Sequence, residues 1–470
     1  MSVLSMMMDE FVVVGYGTQS RRTVTSAITK IGGEEVQGAP INTVGEALKG
    51  KIAGTRVYSN NNTPGADPII RIRGGSSINM SNEPLILVDG VERAFSGINA
   101  NDIESIETLK DAASTAVYGA RGSNGVVLIT TKSGTKNKAP RVTFEANVAF
   151  QQAERKFDLL GAEDYIRMVR PSIAEGKTPM NNFTSGFSAS SINDANSVYS
   201  TRWLGEGETV PAGYKKMRDP LDNTKWLIFQ DNDFQDILFR DNYWQNYYIG
   251  VDGGTDKTTY AASMGYTTDD GVALGTEFNR LTARLNLNTE ITKKLKLTGM
   301  MEFSDAKSKE FSNQMNVISR GISAAPTMKR YMDDGTPSYG YNGTSLNPEY
   351  NNYIFDNDNR NKRISVVGGL EYKILEGLKA NVNVSMYNHV NRWGSFRKRG
   401  YFSNATPTSE NFNELTRTKL DAFLNYTKSL KKDHHFSLMG GYSYSRDDRN
   451  AFGASAEGGG SDKTPVSYTH

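Results

Sequence analysis

The chain has 470 residues, and its 54 Lys and Arg residues nearly balance its 52 Asp and Glu residues, so the net charge of +2 excludes the strongly basic surface of a nucleic-acid-binding protein. The sequence contains no cysteine, which excludes disulfide frameworks, thiol nucleophiles and thiolate metal sites. A mean hydropathy of -0.53, with no apolar run near the ~20 residues that a transmembrane helix requires, excludes a helical membrane protein.

Residues 1–140 mix helix and strand patterns, as a small α/β domain does. Short apolar runs bounded by turn residues predict buried strands, and one alanine-rich run predicts a short helix. The strand segments are residues 68–73, 84–88 and 125–131, and the helical segment is residues 112–118. The run 103–110 precedes the helix and is not assigned to either type. The glycine-rich run 119–125 must contain tight or left-handed backbone, which glycine adopts without steric cost.

From Val142 onward, apolar and polar residues alternate. In one segment the apolar positions are Leu281, Ala283, Leu285, Leu287 and Ile291, and the polar positions are Thr282, Arg284, Asn286, Asn288 and Glu290. The alternation recurs in segments beginning at Tyr260, Leu295, Ile364 and Phe436. A period of two places successive side chains on opposite faces of a strand, so one face can contact lipid while the other lines a wet lumen. A soluble sandwich also alternates, and the pattern alone leaves both architectures open.

The connections between these segments distinguish the two architectures. Short turns are predicted at residues 253–257, 292–294, 375–377 and 431–433. Long polar loops are predicted at residues 154–242, 308–362 and 391–416, with a shorter one at 269–277. Outer-membrane barrels have short turns on the periplasmic side and long loops outside the cell. The sequence therefore predicts about nine antiparallel strands of a membrane β-barrel, the first at residues 142–150 and the ninth running past Arg446.

Six motifs follow one another in the first 132 residues. They are EFVVVGYGT (10–18), ALKGKIAGTRV (47–57), IRIRG (70–74), PLILVDG (84–90), DIESIETLKDAASTAVY (102–118) and GARGSNGVVLITTK (119–132). In this order they resemble the plug of the SusC/RagA-type TonB-dependent outer-membrane transporters. Residues 234–240 and 253–266 also resemble the family. The resemblance implies a tail at residues 1–19, an α/β plug domain at 20–138, and the first part of a barrel of about 22 strands at 139–470.

The resemblance also implies a function. Members of the family import an oligosaccharide or an oligopeptide across the Gram-negative outer membrane, with a TonB-like periplasmic energy transducer and a SusD-like surface lipoprotein as partners. We expect no enzymatic activity and no cofactor. Two alternatives are a passive porin or surface adhesin, which would lack a filled plug, and a secreted hydrolase. The presence of only four His and of no convergent pair of acids argues against the hydrolase.

The tail contains the expected site of energy coupling. The predicted TonB-interaction residues are Asp9, Glu10, Phe11, Val12, Val13, Val14 and Gly15. A strand-prone tail can pair edge-on with a partner strand, so that backbone hydrogen bonds supply the grip. The alternative is that the valine run is an edge strand of the plug.

Arg71 and Arg73 alternate with isoleucines and share one face of a predicted plug strand. We expect these plug–barrel contact residues to pair with acidic residues on the lumen wall, for which Glu290 and Glu302 are candidates. The alternative is a solvated strand face within the plug.

Trp203, Trp244 and Trp393 lie in or beside the predicted external loops and are candidates for substrate binding. Packing between loops is an equal alternative. The acidic run 356–361 carries oxygen ligands that a structural Ca²⁺ could use, but it lacks the glycine and distal glutamate of an EF-type loop. A polar external loop is the favoured interpretation, and no other metal site is predicted.

Residues 1–8 contain neither the basic region nor the apolar region of a signal peptide. About nine strands cannot close a barrel of about 22, and unpaired strand edges in hydrocarbon cost several kcal/mol per backbone group. We therefore expect the sequence to be the N-terminal part of a longer protein.

Overall fold

The computed structural model describes residues 11–14, 17–20, 28–59, 63–72, 82–153, 157–175, 198–310, 314–340, 347–400, 404–430 and 434–458. Within these ranges, residues 28–132 form a mixed α/β domain, which we call the plug. Residues 138–456 contain a large antiparallel sheet, which we call the wall. None of the helices in the described ranges is both long enough and apolar enough to cross a bilayer.

In the parts of the tail and the plug that the structure describes, there are nine short strands and two short helices. They are β1 (Phe11–Val14), β2 (Gly17–Ser20), β3 (Ile28–Gly32), α1 (Val44–Ala47), β4 (Arg56–Tyr58), β5 (Ile69–Arg71), β6 (Leu85–Val88), β7 (Val91–Glu92), β8 (Ile103–Leu109), α2 (Ala112–Thr115) and β9 (Val126–Thr131). The main plug sheet has the order β3-β8-β9-β6-β7, in which only β6 and β9 are parallel neighbours. β4 pairs with β5, and β1 pairs with β2.

The core of the plug follows from its apolar strands. Ile103, Ile106, Val127 and Ile129 of the two central strands are buried among residues from both ends of the domain. Strands β5, β6 and β9 confirm the three strands predicted from the sequence, and α2 confirms the start of the predicted helix. The run 103–110 contains β8. The helix passes into a 3-10 segment in which Gly119 has a φ of 59°, a left-handed conformation of the kind predicted for this run.

The described residues after the plug contain twelve more strands and four more helices. They are β10 (Lys138–Gln151), α3 (Ala162–Glu175), β11 (Arg202–Trp203), β12 (Lys215–Asp219), β13 (Asp222–Phe229), α4 (Phe234–Leu238), β14 (Asn242–Gly254), β15 (Thr258–Asp269), β16 (Glu277–Thr292), β17 (Leu295–Lys309), α5 (Gln314–Ile322), α6 (Pro348–Ile354), β18 (Phe355–Leu375), β19 (Leu378–Arg397), β20 (Thr408–Leu430) and β21 (His434–Ala456). The wall consists of β10 and β14 to β21, paired consecutively and antiparallel. The predicted number of nine strands is confirmed.

The two faces of the wall differ as the alternation predicts. Leu285 is 50% exposed, whereas its neighbours Arg284 and Asn286 are 5% and 8% exposed, because they lie on the face that contacts the plug. We call this the inward face. The outward face of the wall is apolar in its middle, with Leu285, Met301 and Val366 among its exposed side chains. An exposed apolar band of this kind is what a lipid-facing surface requires.

The predicted external loops contain more regular structure than the sequence indicated. β11, β12 and β13 form a three-stranded sheet that packs on α3, and α4, α5 and α6 pack together between wall strands. The prediction of a long loop at residues 391–416 is wrong for most of that range, because β19 continues to Arg397 and β20 begins at Thr408. The prediction that residues 356–361 form a loop is also wrong, because they lie in β18. The period-two hydropathy signal disappears there, since both faces of this end of the strand are polar.

Candidate functional site

A buried ion pair joins the plug to the wall. Arg93, which follows β7 in the plug, donates from Nη1 and Nη2 to the two carboxylate oxygens of Glu302 on the inward face of β17, at 2.5 and 2.6 Å. The two side chains are 1% and 5% exposed. A bidentate pair of this kind fixes both position and orientation, and losing either partner leaves an uncompensated buried charge.

A second polar cluster lies around Asp102 of the plug. Its carboxylate accepts hydrogen bonds from the Tyr248 hydroxyl at 3.1 Å and the Ser263 hydroxyl at 2.5 Å, both on the inward face. Burial raises the pKa of the Asp102 carboxyl above its ordinary value, while the nearby Arg284 guanidinium and the two hydroxyl donors act in the opposite direction. Arg284 also donates to the Lys132 carbonyl oxygen at 2.8 Å, so the end of β9 is held to the wall as well.

A third contact holds the earlier part of the plug. Asn42 donates to the Asp269 carboxylate at 2.5 Å and accepts from the Trp244 indole N–H at 3.0 Å. Arg280 donates to the Asn42 backbone oxygen at 2.5 Å. A single plug side chain thus contacts β14 and β15, and its backbone contacts β16.

The plug also approaches the wall closely through a glycine turn. Gly65 has a φ of +80°, and a Cβ atom placed on it would lie 2.1 Å from the ring of Phe278 on β16. Both its backbone conformation and its space therefore require glycine.

The predicted TonB-interaction segment is partly described. Phe11–Val14 forms β1 and pairs antiparallel with Gly17–Ser20, which agrees with the strand propensity of the valine run. Asp9, Glu10 and Gly15 lie outside the described residues. The role of the segment stays a prediction.

The contacts predicted between Arg71 or Arg73 and acidic residues of the wall are not the ones that the described residues show. The Arg71 side chain is exposed, and its guanidinium lies 5.9 Å from the centre of the Tyr58 ring of the plug. Arg73 lies outside the described residues. Of the candidate wall acids, Glu302 pairs with Arg93, and Glu290 pairs with Lys136 just before β10. The sequence analysis predicted an arginine–glutamate contact between plug and wall but did not identify Arg93. The one sequence feature that could have indicated Arg93 is its position as a charged residue directly after a buried hairpin.

The three candidate tryptophans have different surroundings. Trp203 donates its indole N–H to Asp219 at 3.0 Å and packs against the core under α3. Trp244 is 3% exposed between wall and plug. Trp393 is 38% exposed on the inward face of β19, three rows beyond the row of Tyr387 that lies at the plug. Of the three, only Trp393 offers an accessible ring to the lumen.

The external sheet carries its own buried ion pair. Arg170 of α3 donates to both carboxylate oxygens of Asp219, at 2.7 and 2.6 Å. Burial alone would raise the pKa of Asp219, but hydrogen bonds from Arg170, the Leu221 N–H and Trp203 together hold it below its ordinary value. This network joins α3 to β12 and β11.

No group of three or more His, Asp or Glu side chains in the described ranges is arranged to hold a metal ion. In the run considered for Ca²⁺, Asp356 and Asp358 are exposed on the outward face of β18, while Asn357, Asn359 and Asn361 alternate with them on the inward face.

Comparisons with known proteins agree with this geometry. The family model described as TonB-dependent Receptor Plug Domain matches residues 20–126. The chain is 33% identical to the TonB-dependent receptor SusC of Bacteroides thetaiotaomicron over 290 residues, which cover 60% of this chain and 24% of that protein. It is 30% identical to the TonB-dependent receptor P3 of Formosa agariphila over 455 residues, which cover 93% of this chain and 40% of that protein. The chain thus spans less than half the length of these curated relatives.

Solved structures show the same fold. The RagAB peptide importer in its open-open state superimposes with a TM-score of 0.80 at 23% identity, covering 97% of this chain and 51% of that one. The ferric citrate transporter FecA superimposes with a TM-score of 0.54 at 9% identity, covering 92% of this chain and 49% of that one. Both align the plug together with part of a barrel wall.

Proposed function

The chain belongs to the SusC/RagA type of TonB-dependent transporters, and from this premise we propose that the protein is an active importer in the outer membrane of a Gram-negative bacterium. The observation that supports the proposal most is the buried pair of Arg93 and Glu302. A plug held by a few discrete polar contacts can close a lumen at rest and be released when force is applied. A passive pore would have no use for such a closure.

The work for import must come from outside the outer membrane, which has no ATP. In our proposal a TonB-like periplasmic protein pairs with residues 9–15 by adding a strand to β1 and pulls on the plug. The tail precedes β3, which is an edge strand of the plug sheet and pairs only with β8 among the described strands. Force on the tail therefore reaches the plug at an edge strand, which has hydrogen bonds on one side only.

The experiment that tests energy coupling uses the full-length protein in cells. Val13→Pro removes a backbone N–H and fixes φ, so it should abolish uptake of the ligand while ligand binding at the cell surface remains. Val13→Thr keeps the strand propensity and serves as the matched control. Normal uptake by both the proline variant and a deletion of residues 9–15 would refute the proposal.

The substrate in this proposal is an oligosaccharide or an oligopeptide, delivered with the help of a SusD-like surface lipoprotein. The structural neighbour named above is described as a peptide importer, but at 23% identity it supports the fold alone. The lipoprotein partner is supported by exposed apolar side chains near α3, namely Phe157, Leu159, Leu160 and Met168. Copurification of a surface lipoprotein with the full-length protein would test this partnership, and its absence under mild solubilisation would contradict it.

A further inference from the structure

The inward face of β18 to β21 changes character beyond the plug contacts. The row at the plug consists of Ser365, Tyr387, Arg417 and Asp447, and the next row also carries charge through Arg363 and Arg449. The two rows after that carry no charge. They are Asn361, Asn391, Asn413 and Ala451, followed by Asn359, Trp393, Asn411 and Gly453. A further row consists of Asn357 and three serines. We call these three rows the amide surface.

We propose that the amide surface is the binding site for an uncharged oligosaccharide, with Trp393 as the ring on which a sugar stacks. This inference rests on the proposed import function and names its substrate class. A side-chain amide both donates and accepts hydrogen bonds, as a sugar hydroxyl does. A peptide brings charged termini and side chains, and burying these without an opposite charge is unfavourable. The amide surface supplies no such charge.

Part of the amide surface is held in place before any ligand binds. Asn391 donates its amide hydrogens to Asn359 Oδ1 at 2.8 Å and to Asn361 Oδ1 at 3.1 Å. His389 lies 3.0 Å from the same oxygen of Asn361. Side chains fixed in this way lose less conformational entropy when a ligand binds.

Other amides keep their hydrogen-bonding capacity. The side chains of Asn411 and Asn413 make no hydrogen bond to another residue in the described part of the chain, and Asn413 is exposed. Gly453 lies opposite Asn411 in the ladder, and a Cβ atom on it would lie 2.9 Å from Asn411 Oδ1. The glycine therefore leaves room for the Asn411 amide beside Trp393.

Trp393 occupies the centre of its row, between Asn359 on β18 and Asn411 on β20. Its ring is 38% exposed, so a flat apolar surface is flanked by amides on two strands. Aromatic rings of this kind supply contact area at a low cost in side-chain entropy, while polar neighbours fix the orientation of the ligand.

The test measures binding of a panel of uncharged oligosaccharides, and of a peptide digest, to the purified full-length protein by calorimetry. Sugar binding is expected, with Trp393→Ala weakening it about tenfold and Trp393→Phe weakening it much less. Asn411→Asp adds a charge at constant shape and should also weaken binding. The matched control is Gln245→Glu, the same isosteric change on the outward face of β14, where the Gln245 carbonyl oxygen accepts from the Tyr247 hydroxyl at 2.8 Å. It should leave binding unchanged.

Binding of peptides but of no sugar, or sugar binding that is insensitive to Trp393→Ala, would overturn the assignment. Binding of no sugar in the panel would overturn it as well. The import proposal fails separately, through uptake that is insensitive to Val13→Pro, a substitution that should leave affinity for the sugar unchanged.

Discussion

The guanidinium of Arg93 and the carboxylate of Glu302 form two parallel hydrogen bonds across 209 residues of sequence, with Nη2 2.6 Å from Oε2. The pair joins the plug to β17 in a site almost closed to solvent. Its Coulomb attraction is offset by the desolvation of both ions, so the pair contributes more to where the plug sits than to net stability. That balance suits a contact that must be made and broken.

Removing one partner should therefore be far more damaging than removing both. Glu302→Gln leaves Arg93 buried and unpaired, and we expect the attachment of the plug to weaken by about 3–5 kcal/mol. Arg93→Met combined with Glu302→Met should recover most of this loss. The measurement is protease sensitivity of the plug in the assembled protein, together with leakage of a large antibiotic through the outer membrane.

The matched control is the exposed pair of Lys136 and Glu290, which also joins the end of the plug to the wall. Glu290→Gln should have no measurable effect, because solvent screens this pair. Equal sensitivity to Glu302→Gln and Glu290→Gln would contradict a special role for the buried pair.

The assignment of alternate side chains to the outward and inward faces of the wall gives a second prediction. Leu285 faces outward in the middle of β16 and lies opposite Met301 of β17. Leu285→Arg places a charge on the proposed lipid face and should destabilise the inserted protein by about 2–4 kcal/mol. Leu285→Phe keeps the surface apolar and should be tolerated. Folding into liposomes, followed by denaturant titration, measures the difference, and a neutral Leu285→Arg would contradict a lipid-facing position.

The wall could be predicted from sequence because a strand between lipid and lumen needs apolar side chains on one face and polar side chains on the other. Apolar and polar residues therefore alternate along the strand, as at Leu285 and Asn286. The signal ends where both faces meet water. For this reason the sequence pattern of residues 356–361 indicates a loop, although these residues continue β18. The motifs of the plug could be recognised in the sequence. The partners of the charged residues in the plug could not be predicted, because the sequence does not show which arginine the fold brings to Glu302.

The same limit applies to the tryptophans. All three candidate tryptophans are aromatic residues near predicted loops, but the fold places them differently. Trp203 packs under α3, Trp244 contacts Asn42, and Trp393 lies on the inward face of β19. Strand register separates them: the phase of β19 places Trp393 among lumen-facing asparagines.

The external sheet should show a defined response to acid. Hydrogen bonds from Arg170, the Leu221 N–H and Trp203 hold the pKa of Asp219 below its ordinary value of 3.8, so its contribution to stability is present above that value. It is lost as the pH falls through the lowered pKa, that is, below about pH 4. Near-UV circular dichroism from pH 6 to 2 should show the loss.

Asp219→Asn should remove this acid transition and loosen α3 already at neutral pH, because Arg170 loses the buried carboxylate to which it donates two hydrogen bonds. Asp222→Asn, at the start of β13, is the control, since Asp222 pairs with the exposed Lys225. An acid transition that persists unchanged in Asp219→Asn would assign it to another group.

The close approach of the plug to Phe278 gives the last prediction. Gly65→Ala combines two penalties, because φ is +80° and the new Cβ atom would lie 2.1 Å from the Phe278 ring. Gly50→Ala isolates the first penalty: Gly50 has a φ of +75° with nothing within 4 Å of the added carbon. We expect Gly50→Ala to cost about 1 kcal/mol and Gly65→Ala clearly more. Measured in the Phe278→Ala background, Gly65→Ala should lose the excess and cost about as much as Gly50→Ala does. A double-mutant cycle on thermal unfolding of the plug measures this coupling, and additive effects at Gly65 and Phe278 would show that the plug does not rest on that ring.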